Sequence, residues 1–165
     1  VLKHNGNRTK KLNYNFVNEP DLAQTFVVTC VLLNIPFRFT GLQSLKIKET
    51  DRIEALKTEL RKLGYLLTDS NNSILEWNGE RCEPQAHPVI TTYEDHRMAM
   101  AFAPAALVLP EGIEIADPQV VSKSYPHYWR DLRTNNRQLT ISCRCLEVHC
   151  QLLIVNCQLL CGILL

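Results

Sequence analysis

The sequence lacks an excess of charge of either sign. In 165 residues, 18 Lys and Arg stand against 17 Asp and Glu, with five His besides. That balance excludes a polybasic arm of the kind that binds nucleic acid. Cysteine is scarce over most of the chain, since only Cys30 and Cys82 precede residue 134. Two scattered thiols make no disulfide framework and read as the body of a cytoplasmic protein. A long unbroken apolar run is missing too. The most apolar stretch, Val148 to Leu165, is interrupted by His149, Gln151, Asn156 and Gln158, which argues against a membrane span. Val1-Leu2-Lys3-His4-Asn5-Gly6 holds neither an initiator Met nor the charged-then-apolar order of a signal peptide. The expectation is a fragment of something longer. With 45% apolar and 21% charged residues, disorder and collagen-like repeats are also excluded. One domain, or part of a larger one, fits.

What is present changes character near residue 134. Five of the seven cysteines (Cys143, Cys145, Cys150, Cys157 and Cys161) fall beyond it, but only three charged residues do, Arg137, Arg144 and Glu147. The spacing C-x-C-x4-C-x6-C-x3-C lacks the paired C-x2-C knuckles of a zinc site. Residues 134–165 are therefore read as an unrelated Cys-rich apolar tail rather than a domain. The alternative, a metal-binding interaction element, predicts zinc bound in stoichiometric amount.

Residues 1–133 alternate short apolar runs with helical periods. Phe37 to Thr40 reads as a strand, and Tyr65 to Thr68 with Ile74 to Trp77 as a hairpin turning at Asn71-Asn72. Pro88 to Ile90 and Ile113 to Ile115 are further short strands. A first helix opens at Pro20 and runs through Phe26, Val27 and Cys30 toward Leu33. The second carries Ile53, Leu56, Leu60 and Leu63, is capped by Thr50 or Asp51, and stops at Gly64. A third starts near Asp95 and continues through Met98, Phe102 and Ala106, with Pro104 to kink or end it. A fourth starts at Pro126 and carries Tyr128, Trp129 and Leu132. Strands alternating with helices, plus a hairpin, imply an α/β or α+β layer.

Three of these helix starts carry cations: Lys48 and Arg52 at the second, His96 and Arg97 at the third, Lys123 ahead of the fourth. Cations there are locally unfavourable, because a helix N-terminus is itself partially positive. Repetition points to bound anions, with free N–H groups and basic side chains forming phosphate or carboxylate sites. The bland account is that each cation is a solvated surface residue. Asp21 and Glu49 lie among them. Spacing alone favours capping for both, against a role in proton transfer. His87 and His127 sit beside prolines in turns and are assigned no chemistry.

Four strings then occur in order: Asn18-Glu19-Pro20-Asp21-Leu22-Ala23-Gln24-Thr25, Ile47-Lys48-Glu49-Thr50-Asp51-Arg52-Ile53, Tyr93-Glu94-Asp95-His96-Arg97-Met98-Ala99-Met100, and Val121-Ser122-Lys123-Ser124-Tyr125-Pro126. Over residues 1–133 the chain strongly resembles the 5-enolpyruvylshikimate-3-phosphate (EPSP) synthase family. The resemblance implies a partial inside-out α/β barrel domain built of βαβαββ repeats. It implies the C-terminal part of the second of two domains, facing a missing N-terminal domain across a cleft. The implied reaction moves the enolpyruvyl group of phosphoenolpyruvate onto the 5-hydroxyl of shikimate 3-phosphate, releasing phosphate, with no metal or organic cofactor.

By motif, Asp21 resembles the proton acceptor and Glu49 the acid at the methylene carbon. Lys48 resembles a shikimate-phosphate ligand, Arg52 and Arg97 anion clamps, and Lys123 a further cation at the phosphoenolpyruvate site. His96 belongs to the same motif. Ser44 stands where many members carry Asn and is a candidate contact through water. The alternatives are the related enolpyruvyl transferase acting on a UDP-sugar, and a non-catalytic remnant that binds phosphate. A half-cleft neither excludes water nor holds two substrates in attack geometry, so the chain alone is expected to be inactive.

Overall fold

The computed structural model describes residues 10–47, 51–110 and 112–135. The expectations for Lys48, Glu49 and Thr50, and for the tail from residue 136 onward, lie outside these residues.

A four-stranded sheet in the order β1-β2-β4-β3 carries the first half. β1 (Leu12–Asn15) pairs in parallel with β2 (Phe37–Thr40), with Leu12 opposite Phe37 and Asn15 opposite Thr40. β2 pairs antiparallel with β4 (Ile74–Trp77), which pairs antiparallel with β3 (Thr68–Ser70). Leu12 and Tyr14 alternate inward in β1 between outward Asn13 and Asn15. Only two apolar positions mark this strand, and the period was too short to be read from sequence. The hairpin closes where Ser73 N–H donates to the Ser70 carbonyl at 3.2 Å. Asn71 (φ 53°) and Asn72 (φ 54°) between them are both left-handed, a backbone that suits the twist of paired strands and that Asn tolerates.

The first hairpin strand begins at Thr68, not Tyr65 as expected. Tyr65 instead forms an isolated bridge with Arg81, whose guanidinium lies 4.0 Å from the Tyr65 ring centroid. Tyr65 also packs edge-on against Trp77 at 5.7 Å. That contact draws the ring into the core and leaves the ladder to begin three residues later.

Helix α1 (Ala23–Leu32) follows a single 3-10 turn, Pro20–Leu22. Nearly all its residues are buried, as in a helix covered on every side. It packs against β2, α2 and α3. Phe26 joins Phe16, Phe37 and Phe39 in an aromatic cluster, with Phe16 edge-on to Phe39 at 5.0 Å and Phe37 stacked on Phe39 at 4.4 Å. Gly41 (φ 75°) ends β2 where a Cβ would sit 2.5 Å from the Val17 backbone nitrogen. Only glycine lets the strand end pass so close to the segment leading into Pro20–Leu22.

Helix α2 (Arg52–Lys62) starts at Asp51, whose Oδ1 accepts from Ile53 N–H at 3.1 Å and Glu54 N–H at 3.2 Å. Between the two expected caps, Asp51 is thus the one seen in that role. The helix ends in a Schellman motif at Gly64 (φ 89°). There Gly64 N–H donates to Arg61 C=O and Tyr65 N–H to Leu60 C=O, both at 3.0 Å.

After a second, two-stranded parallel sheet begins with β5 (Val89–Ile90), α3 (His96–Phe102) follows, and β6 (Glu114–Ile115) completes the pair. Pro104 ends α3 at Phe102, and a 3-10 segment, Ala103–Leu107, takes over, so the α-helix stops short of Ala106. Another 3-10 segment, Pro118–Lys123, precedes α4 (Tyr128–Asn135), which begins two residues past Pro126. Tyr128 Oη donates to Met100 C=O at 3.1 Å, tying α4 to α3, and Trp129 Nε1 donates to Pro118 C=O at 2.8 Å, tying it to the preceding 3-10 segment. Leaving the 3-10 turns aside, the first six elements run β-α-β-α-β-β, the unit implied by the resemblance.

Candidate functional site

Three of the motif strings converge on one corner. The turn Pro20–Leu22 presents Asp21, the first residue of α2 presents Arg52, and the first turn of α3 presents Arg97. Arg52 Nη1 donates to Asp21 Oδ1 at 2.8 Å. Arg97 Nη2 lies 3.1 Å from Asp21 Oδ2, and its Nη1 donates to the Asp21 carbonyl at 3.4 Å. The Asp21 carboxylate thus receives one arginine on each oxygen. Asp21 stands in the first turn of Pro20–Leu22, the helix-start placement that spacing favours, and there it meets two cations.

Behind this pair lies a buried one. Arg52 Nε donates to Asp95 Oδ2 at 2.6 Å, with side-chain exposures of 4% and 1%. The other Asp95 oxygen accepts from Arg97 N–H at 2.9 Å and so caps α3. Asp95 therefore does two jobs at once: it starts the helix that carries Arg97 and it orients Arg52. Sequence reading assigned it only the first. Stripping one partner from a buried ion pair costs about 3–5 kcal/mol, so the Arg52 guanidinium is held in place before any ligand arrives.

The segment that delivers Asp95 is unusual. Tyr93 (φ 54°) and Glu94 (φ 57°) are both left-handed, a conformation costing roughly 1–2 kcal/mol per non-glycine residue. Burial, then its bond to Glu59, pushes the Tyr93 phenol up to about 12. Tyr93 Oη donates to Glu59 Oε1 at 2.8 Å. Glu59 is wholly buried on α2. It lies on the same face as Leu56 and Leu60, a charged residue amid an apolar stripe, and that was the signal available in the sequence.

The remaining expected residues are placed less centrally. His96 Nδ1 is 3.9 Å from Asp95 Oδ1, and the imidazole is one-third exposed. Ser44 is half-buried in the 3-10 segment Gln43–Ile47, which packs against the Pro20–Leu22 turn, and makes no side-chain hydrogen bond among the described residues. Lys123 is exposed in the last turn of Pro118–Lys123, ahead of α4 as expected. Among the described residues no His/Cys/Asp/Glu group has the form of a metal site, and no helix is long and apolar enough to cross a membrane. Cys30 is buried in α1, and burial raises its thiol to about 12, well away from reactive thiolate chemistry.

Three chain segments of an α/β unit thus bring two arginines and a carboxylate to one corner. The family model described as EPSP synthase (3-phosphoshikimate 1-carboxyvinyltransferase) matches residues 1–132, and the chain belongs to that family. A 3-phosphoshikimate 1-carboxyvinyltransferase of Bacteroides fragilis (strain YCH46) is 74% identical over 132 residues, covering 80% of this chain and 32% of that protein. One from Laribacter hongkongensis is 41% identical over 110 residues, covering 67% of this chain and 25% of that protein. The solved EPSP synthase of Acinetobacter baumannii superposes with a TM-score of 0.56 at 26% identity, over 70% of this chain and 26% of that one. The chain thus spans about a third or less of the length of these relatives.

Proposed function

We propose that the chain carries one wall of an enolpyruvyl-transfer site, acting on phosphoenolpyruvate and shikimate 3-phosphate in company with the part of the enzyme that its relatives carry and this chain does not. The observation supporting this is the convergence of Arg52 and Arg97, each within 3.1 Å of the Asp21 carboxylate, with the three residues drawn from three separate motifs. Two guanidiniums suit a carboxylate or phosphate of the substrates, since each presents a planar fork of donors. Asp21 stands beside them as the group that accepts the proton of the attacking hydroxyl.

Lys48 and Glu49 immediately precede the N-terminus of α2, and their roles as phosphate ligand and acid rest on the motif. Lys123 supplies a further cation at the phosphoenolpyruvate end, His96 assists Arg97, and Ser44 reaches the shikimate moiety through water. Residues 1–133 form the C-terminal part of the second synthase domain, with the β-α-β-α-β-β run as one repeat of an inside-out barrel. Residues 134–165 are a separate tail. Enolpyruvyl transfer proceeds by addition and elimination, in which residues of this chain bind anions and move protons. A single wall leaves the reactants open to water, so turnover requires the complementary part.

The test mixes the chain with the remaining N-terminal portion of the Bacteroides fragilis relative and follows phosphate release from the two substrates. Turnover on mixing, abolished by Asp21→Ala, is the expected result. No turnover from a mixture in which circular dichroism shows a folded chain overturns the reading and leaves a phosphate-binding remnant.

A further inference from the structure

Glu59 lies seven residues after Arg52 on α2, two turns along and on the same buried face. The two residues grip the same segment at different points. Arg52 holds Asp95 at 2.6 Å. Glu59 Oε2 accepts from Thr91 N–H at 3.0 Å and from Lys62 Nζ at 2.6 Å, and its Oε1 accepts from Tyr93 Oη at 2.8 Å. Lys62 Nζ continues the grip to Val89 C=O at 2.8 Å and Thr91 Oγ1 at 3.4 Å. Between these anchors lie Tyr93 and Glu94, the two left-handed residues.

Left to its own preferences, a non-glycine pair in that region relaxes to right-handed or extended backbone, and the direction in which the chain enters α3 changes with it. A carboxylate with no exposure, satisfied by three donors, is a rigid fixture. Apart from Lys62 on its own helix, its partners are Thr91 and Tyr93 of the turn.

We infer that Glu59 is a positioning residue for the Asp21–Arg52–Asp95–Arg97 cluster, clamping the Thr91–Glu94 turn to α2 so that α3 starts where Asp95 meets Arg52 and Arg97 meets Asp21. The inference deepens the proposed function, because it takes that cluster as the substrate-binding wall. It assigns a role to a residue that touches no member of the cluster.

The test uses the full chain and two variants, Glu59→Gln and Tyr93→Phe. Tyr93→Phe removes a single hydroxyl and carries the test if Glu59→Gln does not fold. Hydrogen exchange of Arg97 N–H and of Arg52 Nε–H is followed by NMR, with Phe16 N–H, bonded to Thr40 C=O at 2.9 Å in the distant sheet, as reference. The expected result is exchange at least about tenfold faster at the two arginines with the reference unchanged. Equal acceleration everywhere signals a merely structural role and overturns the inference, as does no acceleration at all.

Turnover after mixing with the N-terminal portion gives the second readout: kcat/KM is expected to fall about tenfold in Tyr93→Phe. Local acceleration of exchange with unchanged kcat/KM also overturns the positioning role. If the mixed wild-type protein shows no turnover, the synthase reading fails by itself, and the exchange data still decide whether Glu59 holds the cluster.

Discussion

The aromatic sheet and the charged corner are held together by different physics. Around Phe16, Phe26, Phe37 and Phe39 the contacts are apolar, dense and tolerant of direction, with four rings meeting edge-on or stacked. At the corner, the cohesion comes from ionic groups that residues far apart in sequence must bring within 3.1 Å. Burial of the rings pays in proportion to area and forgives small shifts. Burial of Arg52 with Asp95 is favourable only with good geometry, because desolvation otherwise exceeds attraction. The sheet is a scaffold, and the corner depends on it.

Breaking the scaffold has the largest effect. Phe39→Ala deletes a ring with no exposure that touches three others, and is expected to cost about 4 kcal/mol in urea unfolding. Next comes the corner. Arg52→Met leaves the Asp95 carboxylate buried without its arginine and should cost about 3 kcal/mol by the same measurement.

Tyr93→Phe removes a bond to a buried carboxylate and is expected to cost about 1.5 kcal/mol. It also changes the alkaline limb. The Tyr93 phenol is raised from 10.0 to about 12 in the folded chain, by burial first and by Glu59 second. The folded state therefore binds this proton more tightly than the unfolded state does. The stabilisation is fully present below pH 10.0 and is lost as pH rises toward about 12. Urea unfolding at successive pH values should show the wild type losing more stability than Tyr93→Phe across that window.

The smallest effect belongs to a surface pair. Arg38 and Glu76 pair across β2 and β4 on the exposed face, and Arg38→Met should change stability by under about 0.5 kcal/mol.

How much of this could be read from the chain divides along the same line. β2, β4 and α2 were legible because Phe37-Arg38-Phe39-Thr40, Ile74 to Trp77 and the Ile53–Leu63 stripe each repeat an apolar period. β1 was missed because Leu12 and Tyr14 alone mark it, and the 3-10 segments because they have no sustained period. β3 was misplaced because Tyr65 and Leu67 are apolar for tertiary reasons, both being buried in the core ahead of the ladder.

At the corner, the motifs singled out Asp21, Arg52 and Arg97, and the structure shows them as neighbours in space. The pairing itself was out of reach. Arg52 meets Asp21 across 31 residues and Asp95 across 43, and Arg97 meets Asp21 across 76. No local spacing encodes such contacts. Glu59 was also missed, although a carboxylate between Leu56 and Leu60 on an apolar face is a visible anomaly.

The most direct test of the account is a double-mutant cycle on Arg52→Met and Asp95→Asn, read by urea unfolding. Asn keeps an oxygen to cap α3, so the cycle isolates the ionic bond. The account predicts a coupling of about 2 kcal/mol or more. Effects that add to within about 0.5 kcal/mol would contradict it and return the corner to ordinary apolar packing.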